Sequence, residues 1–179
     1  CYKINIAIPK GSRLAARCQC STASGTTTVL CVPFREGNLR CGQWSAIGVT
    51  TADSSATSVD PGASANTKGS WVQLAASTSY DIDLLIVALG SRDQTGSIVT
   101  CSWLVDIGVG AAGSEVVIVP NLWTALTNYS SGAACQSAVP VTPPIVRRIP
   151  AGSRIAARAQ CSSATATQRL IRVAAYGGH

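Results

Sequence analysis

Residues 8–21 read IPKGSRLAARCQCS and residues 149–162 read IPAGSRIAARAQCS, and the two stretches align without a gap. They agree at Ile, Pro, Gly, Ser, Arg, Ala-Ala, Arg, Gln, Cys and Ser. A repeat constrains the fold more than any other signal here, because it fixes what the structural unit is. Each copy opens with a Pro-x-Gly turn and then alternates. In the second copy Ile155, Ala157, Ala159 and Cys161 fall on one side, with Arg154, Arg158 and Gln160 on the other. A period of two is that of a half-buried β-strand, here with one basic side. The first copy places Arg13 and Arg17 at the matching positions. These four arginines are interface candidates that would meet an acidic or polar partner surface. The competing reading is that one Arg of each pair stacks on its own sheet. Neither copy carries a catalytic constellation.

The rest of the chain is read as short strands between Gly, Pro and Ser turns. Residues 2–8 and 26–34 alternate or are β-branched. A polar stretch, residues 45–68, is expected to be a long surface excursion with one strand near Trp44 to Thr50. Strands are predicted again near residues 69–74 and 81–89, with Ile82, Leu84, Ile86 and Ala88 on one face. Further strands are expected over 98–109, 115–119 and 168–176. Residues 121–136 look less regular, with a turn or two of helix conceivable over 123–129, and Pro140, Pro143 and Pro144 make a stiff connector. This pattern predicts an all-β fold, an antiparallel β-sandwich of jelly-roll type. The second repeat copy and its trailing strand close a domain spanning residues 42–179. By analogy, residues 1–36 are a partial domain or strand-exchange arm, joined through a linker at 37–41. Either reading leaves strand edges that natural proteins pair or cover.

Composition narrows the partners. Charged residues make up only 12% of the chain, about half the usual share. The net charge of +6 is dispersed, with Arg147-Arg148 the only adjacent basic pair. A nucleic-acid binder concentrates charge and adds stacking aromatics, so the sequence argues against nucleic acid. No apolar run approaches the roughly 18 residues of a membrane helix, which argues against a membrane.

The eight cysteines are Cys1, Cys18, Cys20, Cys31, Cys41, Cys101, Cys135 and Cys161. Cys18-x-Cys20 lacks zinc-site spacing and the sole histidine is His179, so no metal or cofactor is expected. All eight are disulfide candidates, against the alternative that several are small buried hydrophobes. Cys18 and Cys20 share a strand face about 6.6–7 Å apart, which favours bonds to other strands or other chains. Five of the eight fall in the first 41 residues. At least two of these five are expected to form disulfides, some between chains, each worth about 2–4 kcal/mol within a chain.

Four segments together, GSWVQLAASTSYDIDLLIVAL (69–89), WLVDIGVGAAGSEVVIVPNL (103–122), IPAGSRIAARAQCSS (149–163) and the closing RLIRVAAYG, carry a resemblance. Their order and spacing resemble virion structural proteins of tailed bacteriophages, which are built of β-sandwich domains. The resemblance covers residues 69–176. It implies a capsid decoration, cement or accessory subunit on the particle surface, partnered by itself as a trimer or dimer and by the major capsid or another virion protein. The cysteine content departs from that family and implies a particle reinforced by disulfides.

The residues give little support to catalysis. Asp81 and Asp83 share a strand face, and solvated or Arg-paired carboxylates explain them better than a glycosidase pair. Gly108-Val-Gly110-Ala-Ala-Gly113 matches GxGxxG, yet a strand follows it and not a helix. The chain is therefore read as a non-enzyme. Two other classes compete with the virion reading: a subunit of an extracellular filament or adhesin using donated strands, and a carbohydrate-binding sandwich. The latter would show an exposed aromatic platform, whereas Trp44, Trp71, Trp103 and Trp123 lie in apolar runs and read as core or interface anchors.

Overall fold

A computed structural model describes residues 11–13, 15, 43–52, 55–91, 101–128, 134–136, 142, 144–166 and 168–179. Cys1, Cys18, Cys20, Cys31, Cys41 and Arg17, the expected strands over 2–8 and 26–34, and most of the 1–36 segment and the 37–41 linker lie outside these residues. The described chain is all-β, as expected. Its strands are β1 (Trp44–Ile47), β2 (Val49–Thr50), β3 (Ser55–Val59), β4 (Val72–Ala75), β5 (Ile82–Ser91) and β6 (Cys101–Val109). They continue with β7 (Val116–Asn128), β8 (Ala134–Gln136), β9 (Ile145–Ile149), β10 (Ile155–Cys161) and β11 (Ile171–Gly178).

Two sheets result. One runs β2-β3-β11-β5-β9, with β1 also paired to β11; the other runs β4-β10-β6-β7-β8. Every pairing is antiparallel. From β3 to β6 and from β8 to β11 the chain alternates between the sheets, giving the order β3-β11-β5-β9 facing β4-β10-β6-β7. That is the jelly-roll arrangement.

The second repeat copy takes the middle of this scaffold. β10 lies between β4 and β6, and the strand that follows it, β11, lies at the centre of the opposite sheet. Ile155, Ala157, Ala159 and Cys161 join the core, as do Ile171, Val173 and Ala175 of β11. Opposite them pack Val105, Ile107 and Trp103 of β6 and Leu85, Val87 and Leu89 of β5. Small residues on β10 let the two sheets approach closely, while the larger side chains of β5 and β6 fill the layer.

Three expectations need correcting. The polar stretch over 45–68 holds three short strands, β1 to β3, and Val59 within it is fully buried. Residues 116–128 form one long strand, with no helix, although the sequence suggested a break after Val119. On β5, the inward residues are Leu85, Val87 and Leu89, because a register shift between Ile82 and Leu84 reverses the alternation. Leu84 and Ile86 are buried as well, so both faces of this strand are covered over that span.

Candidate interaction face

The outward side of β10 is where the repeat's arginines lie, and it is densely wired. Asp106 on β6 is 3% exposed. Its carboxylate accepts from Lys68 Nζ at 2.8 Å, from Arg158 Nε at 2.9 Å and from the backbone N–H of Asn121 at 2.8 Å. Burial pushes the Asp106 carboxyl upward, but these three donors outweigh it and hold the group below its ordinary range. The Asn121 bond explains why β7 survives Pro120. Asn121 takes a positive φ of 51°, the β6–β7 register shifts beside Asp106, and the carboxylate accepts the N–H displaced from the ladder.

Arg158 also lies over the Trp71 ring, 4.7 Å from its centroid. Beneath that indole is Gly108, where a Cβ would come within 2.6 Å of the ring. Only glycine lets Trp71 lie so close to β6. Further along, Arg154 donates to Glu115 Oε1 at 2.7 Å, to the Gly110 carbonyl at 3.3 Å and to Gln73 Oε1 at 3.0 Å. Arg154 and Arg158 are thus directed onto carboxylates of their own sheet. This internal pairing is what the competing reading describes, an arginine held on its own sheet, with Lys68 and Arg158 sharing the single Asp106 carboxylate. Arg13 is exposed.

The turn that begins the repeat is equally specific. Thr78 bridges it, with its hydroxyl donating to the Pro150 carbonyl and its backbone exchanging bonds with Ser153 and Gly152. Asp81 accepts from the Ala151 N–H at 2.8 Å and from Arg148 at 3.4 Å, so it caps this turn. Gly152 has φ +81° and Gly11, its counterpart in the first copy, has φ +88°. Both glycines take a left-handed φ that favours glycine. The Gly108–Gly113 match lies at the β6–β7 connection and leads into a strand.

Exposure singles out a different set of residues. Trp123 is 58% exposed, and Val116 and Val146 are each 67% exposed. Arg147 Nε donates to the Ile118 carbonyl at 3.1 Å, tying β9 to β7 across the flank where the two sheets' edges meet. Val146, opposite Leu84, points to the outer side of its sheet. Trp123 faces outward, opposite Leu104. Of the four tryptophans, Trp103 is buried with its Nε1 donating to the Arg169 carbonyl at 2.8 Å. Trp44 and Trp71 are half-buried. Trp123 is therefore not a core residue. Its exposure was not legible in its apolar surroundings, because alternation from Thr124 inward turns it out.

Cys101 and Cys161 are buried and not disulfide-bonded. Cys135 lies on β8, opposite Thr127. Among the described residues no group of three or more His, Cys, Asp or Glu side chains could hold a metal ion, and no helix is long and apolar enough to cross a membrane.

The arrangement defines a class: a jelly-roll sandwich with an ion-paired polar face and separate exposed apolar side chains at Trp123, Val116 and Val146. Comparison with known protein families, with curated proteins and with solved structures finds no match to this chain.

Proposed function

We propose that the chain is a structural subunit of a virion, a decoration, cement or accessory protein of the tailed-bacteriophage type, acting by packing and not by chemistry. The observation that carries this reading is the contrast between engaged charges and exposed apolar side chains. The charged groups of the β6–β10 face are held in ion pairs within the chain, whereas Trp123 on that same face and Val146 on the outer side of the other sheet stand exposed. Among the described residues β8 covers only the last three residues of β7. Exposed apolar side chains near strand edges suit neighbouring subunits better than a diffusing substrate. The resemblance over residues 69–176 supplies the virion context, and jelly rolls recur in viral shells. Cryo-electron microscopy of particles from the native source tests the proposal. The expected result is this sandwich repeated on a symmetric lattice with Trp123 or Val146 buried between subunits. Finding the chain only as free protein, absent from particles, overturns it.

The exposed indole of Trp123 favours a second reading, a carbohydrate-binding sandwich, since aromatic faces stack on sugar rings. Glycan-array binding lost in Trp123→Ala, with folding retained, would select it over the first.

A further inference from the structure

Cys101 is the first residue of β6 and Cys161 the last of β10. Cys161 lies opposite Trp103 in the ladder, so Cys101, two residues away on the same strand, is its diagonal neighbour on the core side. Both are buried, at 2% and 1% exposure. Cys101 hydrogen-bonds the Cys161 sulfur and also reaches the Gln168 carbonyl at 3.6 Å. The backbone N–H of Ser163 donates to the Cys161 sulfur at 3.3 Å. Arg169, held by Asp60 through bonds of 2.6 and 3.0 Å, adds positive charge nearby. The surroundings of Cys161 are therefore donors and a cation, and the carbonyl faces Cys101. That asymmetry separates the roles of the two thiols.

We propose that Cys161 and Cys101 are a hydroperoxide-reactive dithiol, with Cys161 oxidised first and Cys101 closing the disulfide. The Cys161 thiolate attacks one peroxide oxygen, the O–O bond breaks, and a sulfenic acid forms as hydroxide leaves and takes a proton to become water. Cys101 then attacks the Cys161 sulfur, its proton leaves with the sulfenic oxygen as a second water, and the S–S bond forms. The two thiols supply two electrons and the peroxide accepts them. The same surroundings bring the Cys161 thiol down to about 7: the Cys101 hydrogen bond is the largest influence, burial opposes it, and the Ser163 and Ser162 N–H groups and Arg169 assist. A small neutral oxidant suits a buried site. Diagonal neighbours lie about 7–8 Å apart at Cα, longer than the roughly 4.4–6.8 Å of a disulfide. Closure must therefore draw the two strand ends together. Cys161 is the last residue of β10, so the required shift falls at the end of that strand.

This inference is independent of the virion reading. The full reduced chain would be treated with hydrogen peroxide under native conditions, alkylated, digested and mapped by mass spectrometry. The expected product is a peptide pair joined at 101 and 161, lighter by two hydrogens. In Cys101→Ser a sulfenic acid trapped by dimedone should accumulate on Cys161, and in Cys161→Ser dimedone labelling of Cys101 should be absent. The wild-type map needs no variant to fold. Absence of the 101–161 link, its formation only after denaturation, or sulfenic acid on Cys101 ahead of Cys161 each overturns the proposal.

Discussion

At the scale of single residues, Asp106 holds more of the outward face together than any arginine does. Three donors converge on it, so Asp106→Ala leaves Lys68 and Arg158 facing each other without a counter-charge. Removing one partner from a buried pair is strongly destabilising, and the partial exposure of both cations moderates it, so a loss of about 2–4 kcal/mol is expected. Denaturant midpoints of the variant and the parent measure it. The pH dependence has a definite sign. The folded-state pKa of Asp106 lies below its ordinary value of 3.8. Its stabilisation is therefore fully present above that value and is lost as pH falls through the lower folded-state pKa. The stability difference between parent and Asp106→Asn should be flat at neutral pH and shrink only below about pH 4. A difference that changes between pH 5 and 8 would contradict this. Gly108 gives a steric test. Gly108→Ala brings a methyl into the Trp71 ring, and an overpacking loss of about 1–3 kcal/mol with altered tryptophan emission is expected.

At the scale of elements, the strands legible in the sequence were those whose alternation needs no help from elsewhere. β10 is the clearest: Ile155, Ala157, Ala159 and Cys161 are core and Arg154 and Arg158 lie outward, as the period of two implies. β5 misled because one inserted residue reverses which side faces inward, and its second side is covered too, so an apolar run carries no directional signal. β7 misled for a different reason. Pro120-Asn121 reads locally as a break, and the group that rescues it, the Asp106 carboxylate, lies 15 residues away. A bulge satisfied by a distant side chain leaves no local trace. The candidate face was half legible. The arginines were found from the repeat, but Glu115 and Asp106 as their receivers required the β6–β7–β10 register, and Trp123 required knowing which way β7 turns.

At the scale of the whole molecule, the proposed assembly would rest on exposed side chains that folding does not use, so the two should respond to different mutations. Val146→Asp and Trp123→Ser alter exposed side chains, and the expected effect on the unfolding midpoint is within about 0.5 kcal/mol. If Val146 or Trp123 lies in a subunit contact, sedimentation should show the corresponding variant shifted to smaller species, with Arg158→Ser doing the reverse: weaker folding and unchanged association. A parent chain that stays monomeric at micromolar concentration removes the premise. One further property follows from how β1 lies along β11. Gln43 and His179 exchange both backbone bonds at 3.0 Å, and from there the ladder runs inward from Trp44 opposite Gly178 to Ile47 opposite Ala175. Tension that separates residues 43 and 179 acts across the end of this antiparallel ladder, opening its bonds one after another and never loading them together. Under such a pull the sandwich yields as a zipper from this corner, at low force, long before its β5–β11 centre bears any of the strain.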